Sequence, residues 1–122
     1  MSYVKFKVSD DLKKEILRTL ESIADTRDSK IRIGMNETTK SIERKNAKLV
    51  VMAEDVSPPE ILFHVPMICE EKGIAYGYVS KKANLGRAVN ISVGTSAIAV
   101  ERVGSGNEKL LGELLKKIEA SK

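Results

Sequence analysis

The sequence predicts an α/β protein: a single three-layer α/β/α sandwich with a small mixed central sheet, spanning residues 1–122. Three observations predict it. Stretches with helical spacing alternate with short strand-like runs along the chain. Leu49-Val50-Val51-Met52-Ala53 and Ser96-Ala97-Ile98-Ala99-Val100 are apolar without a break, as in strands buried on both faces. No internal repeat or long linker divides the 122 residues, and that length supports one hydrophobic core.

The elements follow in order. Ser9 caps a first helix whose opening turn holds Asp10 and Asp11, the charges that a helix N-terminus favours. Leu12, Ile16, Leu20 and Ile23 give it one apolar stripe. A polar patch from Asp25 to Lys30 ends it, and Ile31 and Ile33 alternate with Arg32 in a short strand. Gly34 turns the chain into a second helix over residues 36–45, and 49–53 forms the central strand. Ser57, Pro58 and Glu60 read as a capped helix start with proline in the first helical position. That helix carries Ile61, Leu62 and Val65, meets a kinking residue at Pro66, and ends near Gly73. Residues 74–79 form a strand, 82–89 a helix, and 96–100 a third buried strand. After the Gly104-Ser105-Gly106 turn, Asn107 caps a last helix with Leu110, Leu111, Leu114, Leu115 and Ile118 on one side.

Composition narrows the function classes. Hydrophobic residues are 42% and charged residues 31%, the balance of a soluble globular chain. A net charge of +4 permits a polyanionic partner without requiring one. Cys69 is the sole cysteine, so no internal disulfide can form and a reducing compartment fits. No early apolar run carries a cleavage site, and no run approaches the roughly 18 apolar residues of a membrane span. The expectation is a cytoplasmic protein with no membrane partner.

The stretch Ile33-Gly34-Met35-Asn36-Glu37-Thr38-Thr39-Lys40 carries the most chemistry. A helix N-terminus attracts phosphate through its unpaired N–H groups and its dipole. Asn36 and Lys40 share a helical face with Glu37 beside them. Asparagine and lysine can donate to guanine O6 and N7, and a carboxylate accepts from base amino or imino groups. The same residues equally make an ordinary helix cap. Lys81, Lys82 and Arg87, with Arg44 and Lys45, would form a nucleic-acid footprint if they share a face, and a solvated surface otherwise. Aromatics are only 4%, which disfavours stacking along an extended single strand and leaves folded RNA as the better polyanion.

Other candidates are weaker. Glu54 and Asp55 follow the central strand, where α/β sheets place ligands, yet they equally form a solvated strand end. His64, the one histidine, has no identified metal or triad partners, and Cys69 reads as a small buried apolar residue. Phosphate-loop and dinucleotide fingerprints are absent. Ile91-Ser92-Val93-Gly94 places apolar side chains in a loop, either tucked into the core or exposed to a base or partner. Two further readings stand beside RNA binding. One is a protein-interaction adaptor on the same fold with secondary RNA contacts, the other a small hydrolase using Glu54, Asp55 and His64.

Several ordered motifs together resemble a known family. Gly34-Met35-Asn36-Glu37-Thr38-Thr39-Lys40 is similar to its Gly-x-Asn-Glu-x-Thr-Lys signature. Leu49 to Asp55, Pro59 to Pro66, Cys69-Glu70-Glu71-Lys72 and Leu85-Gly86-Arg87-Ala88 follow at matching distances. The chain is identified as a member of the family of the archaeal large-subunit ribosomal protein "L seven Ae". That resemblance implies a three-layer α/β/α fold that recognises kink-turns, sharply bent RNA helices with tandem sheared G·A pairs. It implies ribosomal RNA, box C/D and box H/ACA guide RNAs and ribonuclease P RNA as partners, with other ribonucleoprotein subunits. It further implies a monomer off RNA, no catalysis, and neither cofactor nor metal. By match, Asn36, Glu37 and Lys40 contact the sheared guanines, and Gly34 lets the backbone approach, with Thr38 in the same signature. Arg44 and Lys82 hold backbone or the flipped nucleotide, while Asp55, Ile61, Ile91, Ser92 and Val93 frame the extruded base. Met35 stands where a smaller residue is usual. Ile91-Ser92-Val93-Gly94 departs from the Leu-Glu-Val-Ala-Ala type of archaeal relatives, and Ser57 from the glutamate of some eukaryotic ones.

Overall fold

Ser9 begins the first helix as expected, its backbone extended and its hydroxyl accepting from the Leu12 amide at 3.2 Å. The computed structural model describes residues 2–122, and among these the chain forms five α-helices and four strands. They run α1 (Asp10–Ala24), β1 (Lys30–Ile33), α2 (Met35–Glu43), β2 (Leu49–Ala53), α3 (His64–Lys72), β3 (Ala75–Val79), α4 (Lys82–Ala88), β4 (Ala97–Arg102) and α5 (Glu108–Ala120). A 3-10 turn, Pro59–Leu62, precedes α3.

The sheet has the order β1-β4-β2-β3. β2 and β3 are parallel, and β4 runs antiparallel to both β1 and β2, so the sheet is mixed. All five residues of β2 are buried, as an unbroken apolar run between two helical layers requires. α1, α4 and α5 pack together against β2 and β3, while α2 and α3 pack on each other and against β4, β1 and β3. Strand alternation sorts the layers. Gly77 faces α1 and α5, where a Cβ would already touch Ile118 and Ile16 at 3.4 and 3.5 Å. Tyr76 and Tyr78 face the other way, and Tyr76 donates to Glu70 of α3 at 2.8 Å.

Those tyrosines gather the N-terminal segment. Phe6 lies 5.6 and 5.4 Å from the Tyr76 and Tyr78 rings, and Tyr3 donates to the carbonyl of Ala53. Burial pushes the Tyr78 phenol up to about 12, which keeps it a neutral hydrogen-bonding group. Of the chain's five aromatic residues, the three tyrosines, Tyr3, Tyr76 and Tyr78, are all core residues.

Three local expectations are corrected. The helix expected from Ser57 to Gly73 is broken into the 3-10 turn and α3. A residue before proline avoids the helical region, and Pro58 is followed by Pro59, so it stays extended at ψ 147° and no cap forms at Ser57. Pro66 falls within the first turn of α3, where its missing N–H has no intrahelical acceptor to serve, so it leaves that helix unkinked at its start. Gly73 closes α3 in the left-handed conformation, φ 71°, as expected. Asn107 precedes α5 without capping it through its side chain. Its amide instead donates to Thr26 Oγ1 at 2.7 Å and to the Val103 carbonyl at 2.8 Å, tying the end of α1 to the end of β4. Among the described residues, no helix is long and apolar enough to cross a membrane.

Candidate nucleic-acid interface

The sheet's mixed topology sends the carboxyl ends of β1, β2 and β3 to one edge, where β4 begins. Ligands of open α/β sheets bind beyond strand carboxyl ends. Four connecting loops meet there and are stitched by backbone bonds. The Gly34 amide donates to Ala97 O at 2.9 Å, Ala53 to Ser96 O at 2.9 Å, and Thr95 to Lys82 O at 3.1 Å. Asp55 Oδ1 accepts from the Lys82 amide at 2.8 Å. The edge therefore brings Gly34, Asp55, Lys82 and the 91–96 segment together from four distant parts of the chain.

α2 starts at this edge. Gly34 provides no side-chain cap, so the opening amides of the helix receive no acceptor from the cap residue. Asn36, Lys40 and Arg44 are exposed and spaced by four, forming one stripe down the helix, with Arg44 at its C-cap. Glu37 lies beside them, 3.4 Å from Lys40 Nζ and 4.0 Å from Arg32 Nη1. Gly34 has φ 97° and ψ 158°, a region that side chains avoid, and a Cβ there would meet no atom within 4 Å. Gly34→Ala is therefore expected to destabilise the protein by about 1–3 kcal/mol through backbone strain alone. An unchanged urea midpoint would contradict that cause.

Thr38, expected among the RNA-binding residues of the same signature, is buried. It is 0% exposed, because it lies about 200° around the helix from Asn36 and so faces inward. Its Oγ1 has no hydrogen-bond partner among the described residues. Ile61 is 39% exposed on the 3-10 turn. The apolar loop divides: Ile91 packs against the core, whereas Ser92 is exposed and Val93 is 68% exposed. Close backbone approach fixes that loop on α4. A Cβ on Gly86 would fall 2.0 Å from Val93 O, and the Ile91 amide donates to Gly86 O at 3.0 Å.

The five basic residues do not share one face. Arg87 lines a groove with Leu17 and Glu21 of α1, in the opposite helical layer from α2. It lies about 140° around α4 from Lys82, which explains the separation. His64 is exposed at the start of α3, with Nε2 3.2 Å from Thr39 Oγ1. Glu54 pairs with Lys13, so Glu54, Asp55 and His64 each have a different partner. Cys69 is buried, and burial pushes its thiol up to about 12. Among the described residues, no three His, Cys, Asp or Glu side chains group as a metal site.

Two polar clusters supporting the edge escaped sequence reasoning. Lys13 Nζ reaches Glu54 at 2.7 Å and Ser80 at 3.0 Å, joining α1 to the ends of β2 and β3. Glu101, its side chain 10% exposed, accepts from Ser41 at 2.6 Å and from Arg32 Nε at 3.3 Å. Burial raises the Glu101 carboxyl, but the Ser41 bond and the Arg32 charge outweigh it, holding it below its ordinary value. The alternation of Arg32 between Ile31 and Ile33 was the one available signal that it points outward; its partners lay far off in sequence.

The comparisons with known proteins agree with this architecture. The Giardia lamblia 15.5kD RNA binding protein is 33% identical, with 98% of this chain and 96% of that one covered at a TM-score of 0.88. A family model matches residues 15–117, from within α1 to within α5, and so takes in every loop of the edge. On that match the chain belongs to the ribosomal protein L7Ae/L30e/S12e/Gadd45 family.

Proposed function

We propose that this chain binds RNA, and that its target is the kink-turn with tandem sheared G·A pairs. The observation that carries the reading is the set of exposed Asn36 and Lys40 with half-exposed Glu37 at the start of α2, on the edge where three strand ends meet. Asn36 and Lys40 would donate to guanine edges while Glu37 accepts from them. Arg44 and Lys82 would hold phosphates or the flipped nucleotide, and Asp55, Ile61, Ser92 and Val93 would frame the extruded base. Ile91 would act from beneath, through its packing, and Thr38 by holding α2 to the sheet. In the free protein Glu37 is shared by Lys40 and Arg32; binding would exchange those exposed pairs for base contacts.

A regular A-form duplex hides base edges in a deep, narrow groove, and a kink opens them. A protein complementary to the bent form must shift the RNA population toward it, releasing counterions as phosphates are neutralised. By this reading the whole of residues 1–122 acts as one RNA-binding domain that binds without catalysis. Its RNAs would be ribosomal RNA, guide RNAs and ribonuclease P RNA in cytoplasmic ribonucleoproteins, beside other subunits, with the free protein monomeric. The test is a kink-turn RNA with a fluorescent dye on each stem. Added protein is expected to raise energy transfer between the dyes to saturation. Binding without any change in transfer would contradict the mechanism.

A further inference from the structure

Arg32 faces two ways. One side meets Glu37 at the α2 turn, and the other meets Glu101 in a groove also lined by Lys30, Asn46 and Arg102. The groove runs back along β1 from Arg32 to Lys30, which lies about 10 Å from Ile33 at the strand rise of about 3.3 Å per residue. Three cations here face one carboxylate. Glu101 is already engaged by Ser41 and Arg32, and among the described residues neither Lys30 nor Arg102 belongs to an ion pair.

Lys30 pairs with Arg102 across β1 and β4, at a register shift that leaves Glu101 as the extra residue before Val100. Like charges on paired strand residues repel, and the carboxylates nearest these two, Glu101 and Asp28, are already hydrogen-bonded to Ser41 and Ser105. An anion between them would reverse the sign of that interaction. Every lining residue is polar or charged, so the groove lacks the buried apolar or aromatic anchor on which protein interfaces depend. The Asn46 side chain is exposed and makes no hydrogen bond among the described residues, leaving a donor beside the cations.

We propose that this groove takes the backbone phosphates of an RNA stem leaving the kink, extending the interface from Glu37 through Arg32 to Lys30 and Arg102. The proposal rests on the kink-turn reading. It gives the protein a grip on duplex RNA that carries no sequence information and fixes the direction in which a stem departs.

Two kink-turn RNAs with the same G·A pairs test it, one with stems trimmed close to the kink and one with both stems extended. Affinity is measured for each across a salt series. The extended RNA is expected to show a steeper dependence of log affinity on log salt, by about 1–2, as one or two more phosphates are neutralised. Lys30→Gln with Arg102→Gln should abolish that increment and leave binding of the trimmed RNA within about twofold, which also shows that the variant is folded. Equal slopes for the two RNAs in the native protein, or an increment that survives in the double variant, would overturn the proposal. Failure of the native protein to prefer the trimmed kink-turn over its G·A-replaced control would overturn the underlying reading, and this proposal with it.

Discussion

Lys40→Ala is expected to weaken binding to a kink-turn RNA by about 1–3 kcal/mol, roughly 5- to 150-fold, the usual worth of a good base contact. Its effect on folding should be far smaller. The Lys40 side chain is 56% exposed, and its single ion pair, with Glu37 at 3.4 Å, lies on the helix surface. Exposed pairs of this kind contribute from nothing to about 1 kcal/mol. The two quantities therefore separate: a large loss in RNA titration beside a urea midpoint near that of the native protein. A binding loss below a few tenths of a kcal/mol would remove Lys40 from the interface. Equal losses in binding and stability would make its role structural.

Gly86→Ala should act through geometry. The added Cβ would stand 2.0 Å from Val93 O and 3.0 Å from Val93 C, both backbone atoms with no rotamer to escape into. Either α4 or the 91–94 loop must move. Forcing a methyl into packed structure costs about 1–3 kcal/mol, and here the strain falls on the segment that seats Gly94 and Thr95 against Lys82. The Thr95 amide, bonded to Lys82 O at 3.1 Å, reports that seat directly. Faster hydrogen exchange at Ile91 and Thr95 is expected, together with a lower urea midpoint. Native exchange at both amides would show that the loop is held by something other than its contact with Gly86.

Much of this structure was legible because its signals are local. The run from Leu49 to Ala53 became β2 without adjustment, since a strand covered on both faces needs apolar residues at every position. The apolar stripe of α1 and the turn at Gly34 read equally well. Sequence also put Asn36 and Lys40 on one face, because helical spacing alone decides it. The misplaced features each turn on a competing force. Thr38 belongs to the same signature as its neighbours, yet helix rotation carries it inward. Pro58 would start a helix were Pro59 not next to it. Asn107 has the chemistry of a cap but finds acceptors on Thr26 and Val103 instead. Lys13 and Glu54 lie 41 residues apart, and Arg32 and Glu101 lie 69 apart. No periodicity links such pairs; only the assembled sheet brings them together.

The most direct measurement is a titration, at one fixed salt concentration, of a kink-turn RNA and a control with both G·A pairs replaced. Tight binding to the kink-turn alone is the expected result, since Asn36, Glu37 and Lys40 are proposed to read guanine edges that the control does not present. Equal, weak and salt-sensitive binding to both RNAs would contradict it, leaving a basic surface that attracts phosphates without recognising the kink.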